Sequence, residues 1–141
     1  LSDLIQVESL TALQVEQLHA LYGSEWWTKS RSLDDVRAAV ENSSLIVGFV
    51  ESDSHRLVGF CRLLTDFVFR AMIYDVIVAE VWRGRGVGRR LMEAVANHPR
   101  MARVSAVSLF CVPEMVPFYE KWGFNLFSGE PRWMIKIQRE G

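Results

Sequence analysis

Cysteine is scarce in this sequence, and long apolar runs are absent. The only two cysteines, Cys61 and Cys111, each lie in an apolar segment without the spacing of a zinc or redox pair. This excludes a disulfide framework and predicts two buried free thiols. No apolar run approaches the ~20 residues that a membrane helix requires, and Leu1 to Leu10 lack the basic start and apolar stretch of a secretion signal. A cytoplasmic location, with no membrane partner, is the expectation. His19, His55 and His98 fall on a predicted helix, a turn and a helix end, so none is placed to activate Cys111 as an acyl-accepting nucleophile. No metal is expected. Linkers, internal repeats and low-complexity segments are missing too, which leaves one domain over residues 1–141.

What is present is a chain that is 50% hydrophobic and 23% charged, enough to bury a single core. Its net charge of −1 conceals a division: residues 1–80 carry twelve acidic and six basic side chains, and residues 81–141 five acidic and ten basic. A basic half suits an anion and an acidic half suits a cation. Nucleic acid is not an expected partner, because no aromatic-rich stacking segment or nucleic-acid motif accompanies the arginines.

The pattern along the chain is mixed. Thr11 to Tyr22 reads as a helix with Thr11 and Gln14 as a capping box, ended by Gly23, and a second helix starts after Ser32, with Asp35 repeating the capping spacing. Three β-rich runs follow, Leu45 to Val50, Leu57 to Leu64 and Ala71 to Val81, as an antiparallel meander. Val87, Leu91 and Val95 then form a helical stripe that stops before Pro99. Val104 to Val112 reads as a strand, Met115 to Trp122 as a short helix stopped by Gly123, and Trp133 to Ile137 as a closing strand. The order, with a first strand before the helices, is that of an α/β domain.

The chemistry concentrates between Asp75 and Leu91. There a Val-rich strand runs into Arg83-Gly84-Arg85-Gly86-Val87-Gly88-Arg89-Arg90 and then into the helix. Alternating glycines let the backbone approach a ligand, and the first amides of the helix point outward with the positive end of its dipole, so the segment suits a phosphate or diphosphate. A P-loop is excluded because Gly88 is followed by Arg89 rather than Lys and Ser or Thr. A dinucleotide fingerprint is excluded because Arg89 stands where a third glycine belongs.

Arg83-x-x-Gly86-x-Gly88 after such a strand resembles the coenzyme A diphosphate motif of the GNAT superfamily of N-acetyltransferases. Phe118-Tyr119-Glu120-Lys121-Trp122-Gly123-Phe124 resembles its second signature, and the likeness covers roughly residues 45–137. The resemblance implies a central, mixed, mostly antiparallel twisted sheet flanked by helices, and acetyl-CoA as cosubstrate. It also implies that the backbone of Val76, Ile77 and Val78 pairs with the pantetheine arm, that Arg83 to Arg89 hold the diphosphate through main-chain amides, and that Tyr119 is the general acid. Val112 and Met115 stand where many members have Asn and Ala, so the usual side-chain contact to the pantetheine arm is not expected.

The reaction so implied is direct transfer of an acetyl group to an amine of a small molecule or peptide, and a homodimer is compatible with it. Asp75 is the candidate base, with a structurally hydrogen-bonded or solvent-facing Asp as the alternative; Glu80, in a solvated turn, is the weaker candidate. Tyr119 has its own alternative as a packed core aromatic. Glu25, Trp26 and Trp27 suit a cationic or aromatic acceptor, or else the tryptophans plug the core between helices and sheet. A noncatalytic acyl-coenzyme A sensor is the competing function, and transfer of a longer acyl group is a third.

Overall fold

The computed structural model describes residues 3–139, so positions 1, 2, 140 and 141 of the expected domain lie outside the described residues. The chain divides after Leu109 into two compact units. In the first, β1 (Leu4–Val7) precedes α1 (Ala12–Gly23) and α2 (Leu33–Glu41). Then come β2 (Leu45–Glu51), β3 (Leu57–Thr65), β4 (Arg70–Val78), α3 (Val87–Ala96) and β5 (Ala106–Leu109). The strands form one sheet in the order β1-β2-β3-β4-β5, antiparallel throughout except for the parallel pair β4 and β5. This is the mixed, mostly antiparallel class that the family resemblance implies.

Local chemistry sets the helix starts. The Gln14 amide donates to Thr11 Oγ1 at 3.1 Å and the Thr11 amide to Gln14 Oε1 at 3.0 Å, closing the expected capping box. Ser32 caps α2 through the Asp35 amide at 3.1 Å. Each such cap is worth about 1 kcal/mol.

Alternation along the strands divides the core between two faces. Leu18 and Tyr22 of α1 and Val36 of α2 cluster with Ile46, Phe60 and Ile77 on one face. On the other face α3 presses Val87 and Leu91 towards Gly59, next to Phe60 in β3; the stripe Val87, Leu91, Val95 is buried throughout, as its spacing requires. Gly59 permits this approach: a Cβ there would lie 2.5 Å from Val87 Cγ1.

β4 contains a bulge that decides what reaches the site. Phe60 pairs with Ile77 and Arg62 with Tyr74, so the single residue Cys61 faces both Asp75 and Val76. Pairing places Ile73, opposite Leu63, and Ile77, opposite Phe60, on different faces although they are four residues apart. Asp75 takes up the change with φ +58°. The strand expected over Ala71 to Val81 is correspondingly shorter, and Glu80–Trp82 form a single 3-10 turn.

The second unit contains α4 (Val116–Glu120), introduced by a turn at Pro113–Met115 and followed by Gly123 at φ +87°. Two expectations are corrected here. Trp133 to Ile137 are not a strand: their composition suits one, but strand structure is a property of pairing, and these exposed residues pair with no described strand. Phe110 and Trp133 make an edge-to-face ring contact at 4.8 Å instead. Cys111 is exposed rather than buried, whereas Cys61 is fully buried.

Candidate active site

The glycine segment forms an open turn at the start of α3. Gly84 (φ +74°) and Gly86 (φ +83°) both adopt left-handed backbone, and a Cβ on either would meet nothing within 4 Å. Gly86 is the N-cap, and no side chain caps it. This contrasts with α1 and α2, where hydroxyls occupy the same place. The first amides of α3, at Val87, Gly88 and Arg89, have no intrahelical acceptor by geometry, so they face the open space before the turn. The cradle fits an anionic group such as a diphosphate.

The neighbouring arginines have definite partners. Arg89 pairs with Glu93 at 3.1 Å, the Arg90 guanidinium lies 4.8 Å from the Phe49 ring centre, and that of Arg85 lies 5.9 Å from Trp82. Arg83 donates from Nε to the Val78 carbonyl at 3.2 Å and forms an ion pair with Glu25.

β4 offers a second recognition element. Its parallel partner β5 matches only Arg70 to Ile73, whereas β3 continues to pair with Ile77 and Val78. From Tyr74 to Val78, which includes the expected pantetheine-binding residues Val76, Ile77 and Val78, no described strand occupies the β5 side. Such an edge presents main-chain donors and acceptors for an extended ligand.

Asp75 stands at the bend of this edge. Its Oδ2 accepts from Arg62 Nε at 2.7 Å, from Arg31 Nη1 at 2.8 Å and from the Tyr22 hydroxyl at 3.1 Å. Arg31 stacks over Tyr22 and Arg62 over Tyr74, each guanidinium 5.0 Å from the ring centre. Burial alone would raise the carboxyl pKa, but the hydrogen bonds and charges of Arg31 and Arg62 prevail and hold it below the usual carboxylate range. Burial and then the Asp75 charge push the Tyr22 phenol well above its ordinary value; the same two causes raise the Cys61 thiol to about 12. A left-handed φ on a residue with a Cβ costs about 1–2 kcal/mol, and Asp and Asn tolerate it best.

The segment after α1 carries the expected acceptor residues. Trp26 is 73% exposed and so is not a core plug, Trp27 is half-buried, and Glu25 is engaged by Arg83. Polar ties fix the segment at both ends: Thr28 Oγ1 donates to the Tyr22 carbonyl at 2.8 Å, and His19 Nε2 lies 3.0 Å from the Arg31 carbonyl. In the second unit, Tyr119 is buried on α4, its ring edge-on to Phe118 at 5.0 Å and to Phe124 at 6.1 Å. Among the described residues no group of His, Cys, Asp and Glu side chains could hold a metal ion.

Tyr22, Arg31, Arg62 and Gly59 were not singled out from sequence. An arginine within the apolar run of β3 and a glycine inside that strand were the available signals.

Comparison with known proteins agrees with this geometry. The acetyltransferase (GNAT) family model matches residues 8–124, and the chain belongs to that family. It is 35% identical over 114 residues to the uncharacterized N-acetyltransferase ycf52 of Porphyra purpurea, covering 79% of this chain and 65% of that one. It is also 32% identical over 120 residues to the chloroplastic serotonin N-acetyltransferase 2 of Oryza sativa subsp. japonica, covering 84% and 60%. The chain thus spans 60–65% of the length of these relatives. A crystal structure from Xanthomonas campestris pv. campestris, described as a GNAT family protein, superposes with a TM-score of 0.81 at 25% identity, covering 100% and 96% of the two chains. No helix among the described residues is long and apolar enough to cross a membrane.

Proposed function

We propose that the chain transfers an acetyl group from acetyl-CoA to an amine by direct attack. The observation that carries this reading is the uncapped start of α3 behind Gly84 and Gly86, after a strand whose last residues, among the described ones, have no paired strand on the β5 side. The amides of Val87, Gly88 and Arg89 would hold the diphosphate, and the backbone of Val76 to Val78 the pantetheine arm. Bound there, acetyl-CoA supplies the activated acetyl group. The reading takes both units as parts of one transferase domain, supported by a family match that crosses Leu109.

An alkyl amine has a pKa near 10, so only about one molecule in a thousand is a neutral nucleophile at pH 7. The site therefore needs a proton acceptor for the amine and a donor for the departing thiolate; Tyr119 is assigned the second task. The acceptor is an aromatic or cationic amine. Exposed Trp26 and half-buried Trp27 support this, as does the rice relative named for serotonin.

The decisive experiment is coenzyme thiol release from acetyl-CoA across a panel of amines, with product masses. Amine-dependent release is expected. Tight coenzyme binding with no such release would favour an acyl-coenzyme A sensor, and preference for longer acyl donors would change the donor. Tyr119→Phe should keep coenzyme affinity and lower turnover by roughly ten- to a thousandfold; undiminished turnover would leave the thiolate to water.

A further inference from the structure

We propose that Asp75 is a positioning residue, which sets the bulge of β4 and the course of segment 24–31 for acetyl transfer and does not itself take the proton from the amine. This rests on the acetyltransferase reading above. Four parts of the fold meet at its carboxylate: α1 through Tyr22, the following segment through Arg31, β3 through Arg62, and β4 itself. All three donors converge on Oδ2.

A base must gain and lose a proton in every turnover. Here a proton on the carboxylate would leave two permanent guanidinium charges, both within 3 Å of one oxygen, without their counter-charge. The other groups around it compensate nothing: Tyr22 is a neutral donor, and Cys61, across the bulge, is a buried neutral thiol. The carboxylate is built to remain charged.

What its charge secures is shape. Trp26 is exposed, so its own packing does little to fix how it is presented, although Thr28 two positions on is fully buried. Polar ties add to the burial of Thr28, and the Arg31 bond to Asp75 anchors the far end of the segment to the sheet. The same residue holds the left-handed turn of the backbone that leads into the open edge at Val76. One carboxylate thus aligns the acceptor segment with the strand that would receive the pantetheine arm.

Two variants of the full chain test this, Asp75→Asn, which tolerates the left-handed backbone but removes the charge, and Arg31→Gln, which cuts one tie at a half-buried position. Hydrogen exchange needs no turnover: amides in 22–31 should exchange at least about tenfold faster in both variants, with α3 unchanged. Unchanged exchange there would overturn the proposal. With an accepted amine, Arg31→Gln should raise the acceptor KM about tenfold while the acid limb of the kcat/KM profile keeps its pH. If Asp75 were the base, loss of its cation would move that limb upward by about one pH unit, and Asp75→Asn would abolish the limb; either result sinks the proposal. Should Asp75→Asn not fold, Arg31→Gln carries both readouts. A parent that releases no thiol with any amine defeats the acetyltransferase reading, and the exchange data then decide the anchoring role separately.

Discussion

Glu25 and Arg83, 58 positions apart in sequence, form an ion pair that joins the segment between α1 and α2 to the loop in front of α3. Because the Arg83 guanidinium also reaches the Val78 carbonyl, one side chain touches both the expected acceptor region and the end of β4. The Glu25 carboxylate is thereby neutralised as a partner for a cationic acceptor.

Both partners are partly solvent-exposed, so Glu25→Gln should cost less than about 1 kcal/mol of stability. Freed from Glu25, Arg83 becomes available to a phosphate, and coenzyme A affinity should rise about two- to fivefold. Calorimetric titration checks this. A fall in affinity would mean that the ion pair holds the loop in its binding shape.

Gly86 allows charge to be separated from shape. Asp and Asn tolerate left-handed backbone, and either side chain enters open space, so both variants should fold. Gly86→Asp should lose coenzyme A affinity by at least about a hundredfold through repulsion of the diphosphate, whereas Gly86→Asn should lose less than about tenfold. Equal losses in the two titrations would reject the electrostatic account and move the diphosphate site elsewhere.

Gly59 acts through Val87. In Gly59→Ala the new methyl would meet Val87 Cγ1 at 2.5 Å, in the first turn of α3. Destabilisation of about 1–3 kcal/mol is expected, as for other overpacked cores, together with weaker coenzyme A binding because the amide cradle is displaced. Adding Val87→Ala should recover both. Denaturant unfolding and titration of the single and double variants decide it; a double variant no better than the single would place the cause outside this contact.

The carboxyl of Asp75 fixes a pH dependence. Its folded pKa lies below the unfolded value of about 3.9, so as pH falls the unfolded chain takes up the proton first. The stability it provides is complete above about pH 5 and is lost as pH falls through the folded value. Asp75→Asn should therefore be less stable than the parent at pH 7, and the gap should narrow below about pH 4. Unfolding free energies measured at both ends of this range test it; a gap that does not change with pH would mean that the carboxyl is not held by its charge.

How much of this was legible in the sequence depends on range. The Thr11 and Ser32 caps, the Val87-Leu91-Val95 stripe and the Gly84-Gly86 turn are encoded within a few residues, and all appear as their spacing requires. The partners of Asp75 lie 13, 44 and 53 positions away, brought together by strand register and a bulge that no local pattern announces. Trp133 to Ile137 show the complementary limit, since residue type states what could pair but not whether a partner strand is beside it.

The half-matched edge of β4 has a consequence for how the protein behaves in concentrated solution. A strand with unpaired main-chain groups is a template for any other extended chain, and such edges are where sheets join and precipitate. From Tyr74 onward the strand bends at Asp75, and Arg83 Nε engages the Val78 carbonyl. The surface suited to the pantetheine arm is therefore also open to a foreign strand, so an occupied site would keep molecules apart there as well as prepare them for reaction.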